Sequence, residues 1–152
     1  MSSDFTNETA PGPPLIGALL RMPVDVIRER MLAALHERGF TDIVDAHLAV
    51  LRWPGPQGLR PSELADRIGM TRQATNYLLG QLEGLGYLER RPDPDDQRSR
   101  RVHLTARGRE VGETMRGAVT EVEAEWSALL GAEDFRRLSA ILARLNDELA
   151  TR

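Results

Sequence analysis

Side chains that suit contact with nucleic acid recur at helical spacing in the middle of this chain of 152 residues. Between Arg72 and Gln81, apolar residues fall on one face of a predicted helix and polar residues on the other. Arginine can hydrogen-bond to a guanine edge, asparagine and glutamine to an adenine edge, and threonine and tyrosine to phosphate. The residues expected to face a duplex are Thr71, Arg72, Gln73, Asn76, Tyr77 and Gln81. Any two short packed helices can produce a similar pattern, so the elements around it must support the assignment.

A pair of helices must position this polar face. The first helix is expected to begin at Pro61 and to reach Gly69, where glycine permits a tight turn. Thr71 is a natural N-cap for the second helix, which is expected to end at Gly86. The residues expected to form the small core between the two helices are Leu64, Ala65, Ile68, Thr75, Leu78, Leu79 and Leu82. This layout predicts a helix-turn-helix.

The hydrophobic period changes from helical to alternating after the second helix. Residues 87–91 and 100–104 are predicted as strands, joined by a turn over residues 92–96. Such a ribbon, or wing, would carry a cation into a narrow minor groove, where negative potential is concentrated. In an extended chain Asp96 and Arg98 share one face, so the carboxylate would orient the guanidinium. The wing residues expected to contact DNA are Asp96, Arg98 and Arg100.

The distribution of charge suits this interpretation, although the net charge is −3. Residues 86–109 contain seven arginines and four acidic residues, whereas residues 120–133 contain four glutamates and no basic residue. All twenty basic residues are arginine, which binds phosphate and guanine in a bidentate manner. The basic segment therefore coincides with the predicted wing.

Composition argues against several other classes of site. The chain has no cysteine, which excludes disulfides, thiolate metal ligands and thiol-based redox sensing. Its three histidines, at 36, 47 and 103, are well separated, so no metal and no cofactor is expected. The sequence has neither a glycine-rich phosphate loop nor a nucleophile-elbow motif, so an enzyme is not expected. It also has no bilayer-spanning apolar run and no secretory signal, so we expect a cytoplasmic protein without a membrane partner.

Three segments together resemble a known family. They are residues 59–73, 82–90 and 93–108. They resemble the MarR-type (multiple antibiotic resistance regulator) repressors, most specifically in the wing and in the Leu-Thr-x-x-Gly that ends at Gly108. The resemblance covers the chain from about residue 15 to its C-terminus. It implies a homodimer that binds palindromic double-stranded DNA, usually as a repressor, and that is often released by a small aromatic or phenolic ligand.

The resemblance also implies how the chain is divided. Residues 1–14, rich in proline and glycine, are expected to be a disordered arm, and residues 15–152 a single domain. Within that domain, residues 15–40 and 105–152 would be dimerisation helices and residues 41–104 the winged helix-turn-helix. The residues expected at the dimer interface are Leu19, Trp126, Phe135, Leu138, Leu142 and Leu145. The expected fold class is mainly α with a small antiparallel β-wing.

In this family the ligand cavity lies between the DNA-binding lobe and the dimerisation helices. On this resemblance, Met31, His47 and Met115 are candidate ligand contacts. His47 has an alternative role, because a histidine among apolar residues commonly packs with its ring nitrogens satisfied. Two positions depart from the family pattern. Arg60 stands where a Thr or Ser cap is common, which weakens that helix start, and Pro23 would kink the first helix or start a new one.

Several alternatives stay open at this level. Tyr77 would contact DNA or lie across the neighbouring helix, and Arg98 would enter a minor groove or be a solvated loop charge. The same DNA contacts serve a repressor, an activator or a regulator without a ligand. A winged helix that binds only protein is a further alternative, although it has no need for an arginine-rich wing. Salt-sensitive binding to duplex DNA separates these classes.

Overall fold

The computed structural model describes residues 12–151, so residues 1–11 of the expected disordered arm lie outside the described residues. The described part consists of helices and one two-stranded antiparallel sheet. The elements are α1 (Ile16–Glu37), α2 (Asp45–Leu51), α3 (Pro61–Ile68), α4 (Arg72–Gly84), β1 (Leu88–Asp93), β2 (Asp96–Leu104), α5 (Ala106–Leu130) and α6 (Ala132–Ala150). The prediction of a mainly α fold with a small β-wing is confirmed. None of the described helices has the length and apolar character needed to cross a membrane.

Helix α1 is a single helix that contains Pro23. The alternative in which Pro23 starts a new helix is therefore wrong. A proline inside a helix lacks the N–H that would bond to the carbonyl four residues earlier, at a cost of about 3 kcal/mol. Packing offsets this cost, because α1 lies along α5 and contributes Leu35 to the buried core, with Met31 and Leu32 packed against it.

The predicted helix-turn-helix forms from α3 and α4. Gly69 ends α3 with a φ of +67°, a left-handed conformation that glycine adopts without strain. Thr71 caps α4, since its hydroxyl oxygen accepts a hydrogen bond from the N–H of Ala74 at 3.1 Å. The predicted core residues that are buried are Leu64, Ala65, Thr75, Leu78, Leu79 and Leu82. Ile68 is half-buried and packs against this core.

The wing is longer than predicted. Strands β1 and β2 pair antiparallel, with one register shift next to Asp93. The turn between them contains residues 94–95 rather than residues 92–96. At the base of the wing, the N–H of Leu59 donates to the carbonyl of Val102 at 3.1 Å, and the N–H of Val102 donates back at 2.7 Å. These two bonds join the wing to the loop that precedes α3.

The Leu-Thr-x-x-Gly segment joins the wing to α5 through close backbone contact. The hydroxyl of Thr105 accepts a hydrogen bond from the N–H of Gly108 at 3.1 Å and donates one to the carbonyl of Gly86 at 2.6 Å. A Cβ at Gly108 would overlap the carbonyl oxygen of Tyr87 and lie 3.1 Å from its carbonyl carbon. The absence of a side chain at Gly108 therefore lets α5 pack directly against the backbone that leads into the wing.

Candidate nucleic-acid interface

Helix α4 presents its predicted polar face to solvent. The side chains of Arg72, Gln73 and Asn76 are exposed, opposite the buried face that packs against α3. Thr71 precedes them at the N-terminus of the helix, where backbone N–H groups favour an anion. An exposed helix with these donors at its N-terminal end has the shape and chemistry to enter a major groove.

A groove of about 360 Å³ separates this helix from the wing. The residues that line it are Arg60, Pro61, Ser62, Arg72, Asn76, Arg90, Ser99 and Arg100. Arg90 is bound to Glu83 at 2.7 Å. The ion pairs within residues 12–151 include neither Arg72 nor Arg100. Two guanidinium groups therefore remain available for an anion, and a groove of arginines and serine hydroxyls suits phosphate.

The carboxylate of Asp93 is buried, which no pattern in the sequence predicted. Its side chain is 0% exposed. It accepts hydrogen bonds from Nε of Arg60 at 2.6 Å and from the N–H of Asp95 at 3.0 Å. Nε of Arg101 lies 3.3 Å from its Oδ1. The backbone N–H of Asp95 and then the guanidinium of Arg60 lower the pKa of Asp93 from 3.8 to about 2. Asp93 therefore ties the start of α3 to both strands of the wing.

The side chain of Arg60 binds Asp93 and does not cap α3. Its side chain makes no capping hydrogen bond to α3. Instead, the carboxylate of Glu63 accepts a hydrogen bond from the N–H of Arg60 at 3.0 Å, which satisfies a donor next to the first turn. The departure from a Ser or Thr cap therefore provides the cation that holds the wing through Asp93.

We expect Asp93 to make the stability of the fold depend on pH in acid. The pKa of Asp93 in the folded chain, about 2, lies below its ordinary value of 3.8. Its stabilising contribution is therefore complete above about pH 4 and is lost as the pH falls toward about 2. The free energies of unfolding of the native chain and of Asp93→Asn should differ by a constant amount from about pH 7 to 5, and by less below about pH 4. Urea titrations across this range measure the difference, and a difference that does not change with pH would contradict the assignment.

Asp96 and Arg98 are exposed at the tip of the wing, but they interact differently from the prediction. Oδ1 of Asp96 accepts a hydrogen bond from the backbone N–H of Arg98 at 3.0 Å. The ion pairs of the described chain do not include the guanidinium of Arg98. Aspartate commonly bonds in this way to the backbone two residues on. The side-chain pair that was predicted is thus replaced by a bond that shapes the turn and leaves the Arg98 cation free.

His47 is buried in α2 and does not line the cavity in which a ligand was expected. Its Nδ1 accepts a hydrogen bond from the N–H of Val44 at 3.2 Å, at the start of α2. The proton of the neutral ring therefore lies on Nε2, which donates to Oε1 of Gln81 at 3.1 Å. The amide of Gln81 donates in turn to the hydroxyl of Tyr77 at 3.1 Å. A chain of hydrogen bonds thus runs from a buried histidine to a tyrosine on the exposed face of α4.

A separate cavity of about 510 Å³ lies between α1, the end of α2 and α5. Two of the predicted ligand contacts, Met31 and Met115, line it together. The other side chains that line it include Val24, Ile27, Arg28, Leu51, Arg52, Arg116 and Val119. Arg28 is bound to Asp45, with its Nε 3.0 Å from the carboxylate. An apolar cavity with guanidinium groups at its edge suits a small aromatic acid.

Comparison with known proteins is consistent with this geometry. Residues 38–99 match the model of the MarR family. The HTH-type transcriptional repressor Rv2887 of Mycobacterium tuberculosis is 30% identical over 133 residues, which are 88% of this chain and 94% of that protein. This chain belongs to the MarR family. The crystal structure of the MarR family protein Rv2887 in complex with salicylic acid is 31% identical, with a TM-score of 0.65 over 90% of this chain and 99% of that one. The structure of Rv2887 in complex with DNA is 30% identical, with a TM-score of 0.65 over 88% and 98% of the two chains.

The match to the MarR family model covers the helix-turn-helix and part of the wing. Residues 38–99 include α2, α3, α4, β1 and the tip of the wing. Asp93 and Arg98 lie inside this segment, whereas Met31 and Met115 lie outside it. The cavity that these two methionines line is therefore defined by the geometry of this chain alone.

Proposed function

We propose that this MarR-family protein is a homodimeric transcription regulator that binds palindromic duplex DNA and represses a nearby gene. The observation that carries the proposal is the groove between the exposed face of α4 and the wing. Arg72 of α4 and Arg100 of β2 both line this groove, and neither forms an ion pair within residues 12–151. A helix of this kind fits a major groove, and the adjacent wing can reach a minor groove. The DNA complex of the related mycobacterial protein supports the proposal.

Each predicted DNA contact has a specific role in this proposal. The side chains proposed to face base edges are Arg72, Gln73 and Asn76. Thr71 lies at the N-terminus of α4, where it contacts phosphate together with the helix backbone. Arg98 enters the minor groove from the wing tip, which Asp96 shapes, and Arg100 binds phosphate beside the groove.

Uncovered apolar side chains support the dimer. Helix α6 has no residue buried within the single chain. The large apolar residues of α1 and α6 that are exposed include Ile16, Leu19, Met22, Leu138, Ile141, Leu145 and Leu149. Three further residues predicted at the interface, Trp126, Phe135 and Leu142, are half-buried. A second copy of the chain would remove this apolar surface from water.

The proposed dimer uses residues 15–40 and 105–152 as dimerisation helices and residues 41–104 as the winged helix-turn-helix. A two-fold axis between the chains would give a palindromic site. The two copies of α4 would then lie in successive major grooves, about 34 Å apart.

Tyr77 is proposed to donate its hydroxyl proton to a phosphate oxygen. The hydroxyl already accepts a hydrogen bond from Gln81, so its own proton remains for an acceptor, and ionised phosphate offers only acceptors. Gln81 is held between Tyr77 and His47, so in this proposal it positions the tyrosine instead of contacting a base.

Removing the Tyr77 hydroxyl should weaken DNA binding by a similar amount for every sequence. We expect Tyr77→Phe to cost about 1 kcal/mol, or about fivefold in Kd, on specific and unrelated duplexes alike. His47→Leu should produce a similar loss, and the double variant should be no worse than either single one. Fluorescence anisotropy with labelled duplexes measures all three. Losses that add in the double variant would show that His47 does not act through Tyr77.

A small aromatic acid is proposed to bind in the cavity of Met31 and Met115 and to release the DNA. The salicylic acid complex of the related Rv2887 supports this ligand class. A ligand between α1 and α5 would change the separation of the two recognition helices in the dimer. We expect salicylate to weaken DNA binding while light scattering still shows a dimer. Dissociation into monomers on addition of salicylate would contradict this mechanism.

Selection of bound duplexes from a random pool tests the proposed function. We expect an inverted repeat to be enriched, with half-sites about one helical turn apart. The enriched sequence should then occur upstream of a nearby gene, and its occupation should lower transcription from that promoter in vitro. Failure to enrich any duplex would contradict DNA binding, and enhanced transcription would show an activator instead.

A further inference from the structure

A second cavity adjoins the one that contains Met31 and Met115. It has a volume of about 500 Å³ and lies between the loop after α2, strand β2 and helix α5. The charged and titratable side chains that line it are Arg91, His103, Arg109, Glu113 and Arg116. We call it the cationic cavity, and we call the cavity of Met31 and Met115 the apolar cavity.

The cationic cavity has more positive charge than its own carboxylate can neutralise. It contains three guanidinium groups and the single carboxylate of Glu113. Arg91 is bound to Glu89, but the ion pairs within residues 12–151 include neither Arg109 nor Arg116. Burial and the nearby charge of Arg91 lower the pKa of His103. Its ring is therefore neutral near pH 7, where it can add a hydrogen bond without adding charge.

The two cavities adjoin each other. They share the lining residues Pro54, Leu104, Gly112 and Arg116. At this junction an added Cβ on Gly112 would lie 4.0 Å from Cδ1 of Leu104. A larger side chain at Gly112 would therefore fill space where the two cavities meet. Arg116 lines both cavities, so a ligand that occupies both would lie beside it.

We propose that the two cavities form one binding site for an elongated amphipathic anion. An aromatic or short acyl group occupies the apolar cavity, and a phosphate head occupies the cationic cavity between Arg109 and Arg116. Two guanidinium groups without carboxylate partners favour a head with two negative charges, because each can make charge-assisted hydrogen bonds to it. A single-ring acid such as salicylate fills only the apolar part of this site. The inference rests on the proposed function, since it specifies the ligand class of the same regulator.

Calorimetry on the full chain without DNA tests the inference. The probes are phenylbutyl phosphate, the neutral phenylbutanol and salicylate. We expect the phosphate to bind at least about tenfold more tightly than the alcohol, from charge-assisted hydrogen bonds to the two arginines. Arg109→Gln should reduce this advantage, because only Arg116 would remain, without changing the Kd of phenylbutanol. Arg136→Gln removes the same charge from exposed α6 and should leave the advantage intact.

A second variant tests the junction of the two cavities. Gly112→Leu should weaken binding of phenylbutyl phosphate more than binding of salicylate, because only the phosphate is proposed to extend from one cavity into the other. Equal Kd values for the phosphate and the alcohol, or a phosphate advantage that Arg109→Gln leaves unchanged, would overturn the inference. The proposed function would stand in either case if salicylate still released DNA. Conversely, a chain that binds the phosphate as expected but, in the absence of any ligand, enriches no duplex from the random pool would count against the proposed function alone.

Discussion

Among substitutions that add one methyl group to α5, Gly108→Ala should destabilise the protein most. The new Cβ would overlap the carbonyl oxygen of Tyr87, which is backbone and cannot rotate away. Helix α5 would have to move from the segment that leads into β1, and the hydrogen bonds that Thr105 makes there would be lost. Overpacking of this kind costs about 3 kcal/mol. Urea denaturation measures the loss, together with a lower Tm.

Gly117→Ala is the matched control, because it adds the same methyl group to the same helix. Nothing lies within 4 Å of a Cβ at Gly117. Alanine there should stabilise the helix by about 0.5–1 kcal/mol, through reduced backbone entropy in the unfolded chain. If both variants change the free energy of unfolding by the same amount, the close approach at Gly108 does not hold α5 to the wing.

Replacing Arg72 by alanine should weaken specific DNA binding by about 1–3 kcal/mol if its guanidinium makes a bidentate base contact. This corresponds to a loss of about 5- to 150-fold in affinity. The preference at a single base pair of each half-site should also relax, because the contact that reads it is gone. Competition between the selected duplex and duplexes altered at one position measures both effects.

Arg136→Ala controls for the change in net charge. Arg136 is exposed on α6, where its Nε donates to the carbonyl of Ala132 at 3.3 Å, outside the groove. It should leave both affinity and base preference close to those of the native chain. A uniform loss with Arg72→Ala on all duplexes, with unchanged preference at every base pair, would instead show that Arg72 contacts phosphate.

The features that could be predicted from the sequence depend on contacts between neighbours in the chain. The two faces of α4 follow from helical periodicity alone, and Gly69 and Thr71 mark a turn and a cap through their own conformational preferences. The wing follows from a change of period over a short basic segment. These elements identified the exposed face of α4 and the wing tip, including Arg98.

The features that were missed depend on residues that are distant in sequence. A buried aspartate is rare, and Asp93 is stable there only because Arg60 and Arg101 come together around it when the wing folds. His47 lies among apolar residues in the sequence, and this local pattern does not indicate its hydrogen bond to Gln81 on another helix. The groove beside α4 also depends on this assembly, since Arg90 and Ser99 reach it only from the folded wing.

Local sequence patterns also do not predict which molecule covers an apolar surface that a single chain leaves exposed. The spacing of leucines on α6 predicts an apolar face but does not specify what covers it. The structure shows that the face remains uncovered within one chain, which is what a dimer requires. Leu138 and Leu145 therefore support a dimer interface only together with the exposed apolar residues of α1.

The salt dependence of duplex binding tests the central claim most directly. Binding of the intact chain to its selected duplex should weaken by at least about tenfold between about 50 and 200 mM salt, because arginines displace counterions from phosphate. For Arg98→Ala, the slope of log Kd against log salt should be smaller by about 1. Fluorescence anisotropy over this salt range measures both slopes. Affinity that does not respond to salt, or a slope unchanged by Arg98→Ala, would contradict a DNA interface formed by α4 and the wing.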